Sequence, residues 1–142
     1  EILDEKGLIN RKKMRAIIFD DQSQKKILEE IIHPKVRDEM FKRINKSDDH
    51  YLIVSVPLLV ETGMNRIMDR TLLVDCSEDT QIKRLMHRDK ITLNEARAIL
   101  KNQASRSDRK KIADDLIVNE KNVTLIELEN EVLELHKYYL KQ

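Results

Sequence analysis

Residues 71–118 constrain this chain most. Two short apolar runs, T-L-L-V-D at 71–75 and D-L-I-V at 115–118, bracket three stretches of helical character. Runs of this length, rich in β-branched residues, read as strands covered on both faces. Strands that alternate with helices predict an α/β layer with a parallel sheet, because parallel neighbours need a long crossover. Ser77 is placed to open the first intervening helix. Thr92 and Glu95 form a capping box ahead of Ala96, Ile99 and Leu100. Thr124 and Glu127 form another, starting a closing helix with Ile126, Val132, Leu133, Leu135 and Tyr139 available for packing.

A further strand is predicted at 51–56, Y-L-I-V-S-V, ended by Pro57. Ahead of it the pattern is helical. One helix spans 11–19, with Met14, Ile17 and Ile18 inward. A second spans 22–32, with Ile27, Leu28, Ile31 and Ile32. Proline is tolerated in the first turn of a helix and disfavoured in its interior. A break is therefore expected at His33, with a third helix from Pro34 to about residue 45 carrying Val36, Met40, Phe41 and Ile44.

The 142 residues are 40% hydrophobic, enough for a core, and suit one domain or most of one. With 27 basic and 26 acidic residues the chain lacks the charge footprint of a dedicated nucleic-acid binder. No apolar run has membrane-spanning length, so no membrane partner is expected. One cysteine excludes an internal disulfide, and a cytoplasmic location is the default expectation. The first residue is Glu1, which reads as a start inside a longer protein. The two glycines are Gly7 and Gly63, and neither precedes a Lys-Ser or Lys-Thr pair, so the sequence holds no glycine-rich phosphate loop.

Open parallel sheets take ligands beyond the carboxyl ends of their strands. That rule selects the loop at 57–61, Asp75 with Ser77, and Asn119. Glu61 has two readings: it orients a magnesium-bound water or pairs with an arginine, or it is a cap or structural ion pair. Asp75 lies near a magnesium ion or accepts amide bonds in the turn at Cys76 and Ser77. Arginine's rigid fork of donors suits phosphate oxygens. Arg84 and Arg88 lie four apart and share a helix face; Arg106 and Arg109 lie three apart where the polar stretch 90–111, a candidate mobile lid, returns to the core. Converging, they would hold phosphates; singly, each reads as a solvated arginine paired with Asp79, Asp89 or Asp108. His33 contacts a substrate phosphate or hydroxyl, or satisfies carbonyls at a helix end. The other histidines have no zinc-ligand spacing, so no metal ligand set is expected. Cys76 reads as a buried inert thiol, Met64, Met68 and Met86 as core fillers. Of Tyr138 and Tyr139, one is expected to pack and the other to face solvent.

Several patterns coincide: L-E-E-I-I-H-P-K-V at 28–36, V-P-L-L-V-E at 56–61, V-D-C-S-E-D-T-Q-I-K-R-L-M-H-R-D at 74–89, N-Q-A-S-R at 102–106 and A-D-D-L-I-V-N at 113–119. In this order and spacing they closely resemble the dephospho-CoA kinase family over essentially the whole chain. The resemblance implies a P-loop NTPase-like three-layer α/β/α parallel sheet with a helical substrate domain and a lid. It divides the chain into a helical substrate region at 1–50, core at 51–89, lid at 90–111, and a core strand and helix at 112–142. It implies ATP and Mg2+ as cofactors, dephospho-CoA as substrate, and transfer of the γ-phosphoryl group to the ribose 3′-hydroxyl. Carried over, His33 and Pro34 match a helix junction at the dephospho-CoA pocket. Pro57, Leu58 and Glu61 match the loop facing the reacting phosphate, Arg88 and Arg106 match arginines near the ATP phosphates, and Asn119 matches a residue near the adenine. Arg84 and Arg109 join as further nucleotide-binding residues. The family's usual glycine after Asn119 is replaced here by Glu120 and Lys121.

The front departs from the family. Its opening strand, G-x-x-x-x-G-K-[ST] loop and aspartate-bearing second strand have no counterpart in the sequence. The resemblance therefore implies a kinase in full-length form, of which these residues are a part, inactive alone. In the family the P-loop strand separates the strands expected at 51–56 and 71–75. Its loss unpairs both neighbours, which raises a strand donated between copies as a possible partner interaction. Two alternatives stand: another nucleoside or small-metabolite kinase with the same lid logic, or a non-catalytic nucleotide-binding or assembly module.

Overall fold

The computed structural model describes residues 2–142 and divides after Leu52 into two compact units. The first unit opens with an isolated antiparallel bridge, Leu3 to Ile9. Its turn is built on Asp4, whose carboxylate accepts from the Lys6 and Leu8 amides at 2.9 Å each. Gly7 sits there at φ +73°, a left-handed conformation that costs glycine least. Helix α1, Arg11–Asp20, starts under the Asn10 side chain, which accepts from the Lys13 amide. Helix α2, Gln22–Ile44, starts under Asp21, which accepts from the Ser23 and Gln24 amides, and α1 packs on α2.

The expected break at His33 does not occur: α2 runs uninterrupted, with Pro34 inside it. Pro34 removes one amide donor, yet the intact ladder on both sides carries the helix through. His33 therefore lies mid-helix, not at a junction, and both residues are exposed. The apolar faces are also more open than their period implied. No described α2 residue is buried, and Ile27, Ile31 and Val36 are exposed; among the described elements of this unit α1 is the one that packs on α2.

The second unit, Ile53–Gln142, holds the sheet. After helix α3, Leu59–Thr62, Gly63 closes the turn at φ +63° and a short 3-10 turn, Met64–Ile67, leads towards strand β1, Leu72–Asp75. Helices α4 (Glu78–Asp89), α5 (Leu93–Lys101) and α6 (Arg106–Lys111) follow, then strand β2, Asp115–Val118, and helix α7, Leu125–Tyr139. The strands pair in parallel, Leu72 opposite Asp115 through Asp75 opposite Val118. Ser77 caps α4, and both predicted capping boxes form, at Thr92 with Glu95 and at Thr124 with Glu127. Lys90 ends α4 at φ 56°, a left-handed position unusual for a residue with a side chain.

Residues 51–56 form no strand, contrary to the apolar pattern, and the described sheet has two strands in place of a three-layer sandwich. The pattern encodes burial, whereas a strand needs a neighbouring strand for its ladder, and β1 and β2 pair with each other. Among the described residues the buried apolar ones are Cys76, Ile82, Ala96 and Ile117, joined by the polar Thr71 and Asp75. Met64, Met68 and Met86 are half-buried fillers.

At the amino ends of the strands, Arg70 forks onto Asp115 with bonds of 2.9 and 3.0 Å, and the Tyr139 hydroxyl donates to the same carboxylate at 2.8 Å. Arg70 also lies 5.2 Å from the Tyr138 ring centre. Of the two tyrosines, Tyr139 is the half-buried one and Tyr138 is exposed. Arg70, opposed by desolvation, holds Asp115 below the usual carboxylate range, and burial with the Asp115 bond pushes Tyr139 up to about 12. This clamp ties the start of β2 to the end of α7. It leaves the opposite, carboxyl ends of the strands to the polar groups described next.

Candidate functional site

Beyond the carboxyl ends of β1 and β2 the backbone pairing continues by one bond. The Asn119 amide donates to the Asp75 carbonyl at 2.8 Å, so Asp75 and Asn119 stand side by side at the strand tips. The Asp75 side chain is 2% exposed and carries two cations. Arg106 forks onto it, Nε to Oδ1 at 2.8 Å and Nη2 to Oδ2 at 2.6 Å, while Lys110 Nζ lies 3.0 Å from Oδ2. Both come from α6, whose first turn is capped by Ser105 accepting from the Asp108 amide. Four residues apart, they share one helix face.

The two readings of Asp75, magnesium neighbour or turn acceptor, both give way to this ion pair. The Arg106 hydrogen bonds, opposed by burial and assisted by Lys110, depress its pKa to about 2. A carboxyl depressed in the folded state contributes stability above its unfolded value near 3.8, and that contribution is lost as pH falls towards 2. Because the cations remain partly in water, the pair is screened and the effect is modest. Urea unfolding midpoints should drop between pH 5 and pH 2.5 by more in the parent than in Asp75→Asn. Equal drops would refute the assignment.

The turn after β1 is held by a different carboxylate. Glu120 accepts from the Ser77 amide, from the Ser77 hydroxyl at 3.2 Å and from the Thr80 hydroxyl at 2.7 Å. These bonds, with Thr80 first, lower its pKa. Glu120 thus reinforces the amino end of α4.

Of the arginines, Arg84 donates to the Asn119 side chain at 3.0 Å and so reaches the tips from α4. Arg109, half-buried, donates to Gln81 at 3.4 Å. Arg88 does not join them. It forks onto its neighbour Asp89 at 2.7 and 2.9 Å on an exposed surface, the solvated pairing that sequence alone had offered. The shared face expected of Arg84 and Arg88 therefore does not lead to a shared partner. Glu61, in α3, accepts from the Ala104 amide at 2.7 Å and so anchors the loop that precedes Arg106. Pro57 and Leu58 lie just ahead of α3, both exposed, with the Leu58 carbonyl taking the Thr62 amide and hydroxyl. Lys110 and Glu120 were missed from sequence, although the four-residue spacing of Arg106 and Lys110 was a readable signal.

The cationic groups at the tips suit an anionic ligand such as a phosphate chain. They do not suit a metal. Asp75 is saturated by cations, and among the described residues no group of three or more His, Cys, Asp or Glu is arranged to hold an ion.

A model of the dephospho-CoA kinase family matches residues 1–124. This chain belongs to the dephospho-CoA kinase family. Among relatives, a dephospho-CoA kinase of Nitrosospira multiformis is 46% identical over 135 residues, covering 94% of this chain and 66% of the relative. One from Shewanella oneidensis is 37% identical over 141 residues, covering 99% and 68%. A solved dephospho-CoA kinase from Campylobacter jejuni superposes with a TM-score of 0.71 at 27% identity, covering 99% of this chain and 70% of that one. A Thermus thermophilus crystal structure gives a TM-score of 0.82 at 23% identity, covering 93% and 68%, and speaks for the fold alone. The chain spans about two thirds of the length of the curated family members it matches. The fold is thus α/β and P-loop NTPase-like, with two strands of the sheet among the described residues. No helix among them is long and apolar enough to cross a membrane.

Proposed function

We propose that the full-length protein transfers the γ-phosphoryl group of ATP to the ribose 3′-hydroxyl of dephospho-CoA, giving CoA and ADP in the cytoplasm. The observation that carries this reading is the placement of Arg84 and Arg106 at paired strand tips in a chain of this family. In this reading Arg106, Arg84 and Arg109 hold phosphate oxygens and offset charge as it develops on the transferred group. Asn119 lies at the adenine side. Glu61 acts through the backbone, holding the 102–105 loop so that Arg106 enters the site in register. Arg88 reaches a phosphate only by leaving Asp89, a surface pair that binds weakly enough to permit it. By the family resemblance His33 and Pro34 are substrate residues of the helical unit, Pro57 and Leu58 are substrate residues of the second unit, and residues 90–111 act as the lid. Mg2+ accompanies ATP in this reading, bound by the nucleotide phosphates and one or two carboxylates.

An ATP-dependent phosphorylation assay tests the reading, run with the full-length protein and with residues 1–142 side by side. The expected result is turnover of dephospho-CoA by the first and none by the second. Phosphorylation of adenylate but not of dephospho-CoA would overturn the substrate assignment. Sedimentation of the 142-residue chain reads the accompanying proposal of strand donation, which rests on the family's P-loop strand having no counterpart in the sequence; a strict monomer would remove it.

A further inference from the structure

The Asp75 carboxylate carries one cation more than its charge requires. Arg106 commits two of its donors, Nε and Nη2, to that carboxylate, so it cannot present the same fork to a phosphate without letting go. Letting go would strand a carboxylate that is 2% exposed, and an unpaired buried charge is strongly disfavoured. Lys110 answers this difficulty. It stands one turn along α6 on the same face, 3.0 Å from Oδ2, and its ammonium has rotatable donors with no fixed fork. It can move to a central position between both oxygens once the guanidinium departs. Glu120 and Cys76 add to the hold on Arg106 through the field alone, so the two-donor fork on Asp75 is the contact it must release.

We infer that Lys110 is a positioning residue: by keeping Asp75 paired, it frees Arg106 to exchange a carboxylate partner for the phosphate chain of a nucleotide. This rests on the reading above that Arg106 serves phosphates. Both cations cannot be equivalent in this scheme, since the forked one travels and the point charge stays.

The test is steady-state kinetics on the full-length protein, with ATP varied and folding followed by circular dichroism. Lys110→Met should raise KM for ATP about tenfold and change kcat much less, because the cost falls on engaging the phosphates. Lys110→Arg should keep the parent KM. The double variant Asp75→Asn with Lys110→Met should recover most of the loss, since a neutral side chain needs no guardian. If the single variant folds poorly, the double variant, which buries no charge, carries the test: a KM near the parent's supports the inference and a tenfold rise overturns it. An unchanged KM in a folded Lys110→Met protein also overturns it. If Arg106→Ala raises KM or lowers kcat while Lys110→Met does neither, only this inference fails. If Arg106→Ala itself leaves both constants unchanged, the failure lies with the phosphate-binding reading.

Discussion

Replacing Arg106 by alanine in the full-length protein is expected to lower kcat about 100- to 1,000-fold, the usual loss when one preorganised donor to developing charge is removed. The side chain is 42% exposed and its partner Asp75 keeps Lys110, so folding should suffer far less than turnover. Arg106→Lys should recover only part of the rate, because a single ammonium cannot reproduce the two-donor fork. Thermal melts and single-turnover phosphorylation separate the outcomes. A variant that melts much earlier yet retains parent specific activity in its folded fraction would show that Arg106 is a structural latch on Asp75 and nothing more.

The largest loss of stability is expected from Ile117→Ala, about 2–4 kcal/mol. Ile117 is 4% exposed in the middle of β2, opposite Val74, and few other side chains in its unit are buried as deeply. With so small a core, a single cavity removes a sizeable share of a total that for natural domains is about 5–15 kcal/mol. The neighbouring Leu116, 44% exposed on the other face, is the internal control and should lose less than about 1 kcal/mol on truncation. Urea unfolding of both variants checks this. Equal losses at the two positions would mean that the two faces of β2 are covered alike.

What the sequence disclosed depended on how local the cause was. The strands around Val74 and Ile117 and both capping boxes are set by residues a few positions apart, and all formed where the pattern placed them. The course of α2 through Pro34 was not legible, because a proline's effect depends on the helix on either side of it. The apolar segment 51–56 misled for a related reason: a continuous apolar and branched run reports what a backbone would bury, not who its neighbour is. At the site, arginine content drew attention to Arg84, Arg88, Arg106 and Arg109 alike. Only tertiary placement separated Arg106 on Asp75 and Arg84 on Asn119 from Arg88 on its own neighbour. Glu120 carried no signal of its own in the sequence, and its bonds to Ser77 and Thr80 come from the fold.

The strand pair carries a consequence for how the chain acquires its shape. β1 and β2 are adjacent in space, but three helices lie between them along the chain, so closing that loop costs entropy before any ladder bond repays it. During synthesis β1 emerges with its edge exposed and waits until the whole excursion and β2 have followed. The tips that assemble the cationic site are therefore among the last features to form, and a nascent chain halted before residue 115 has no such site at all.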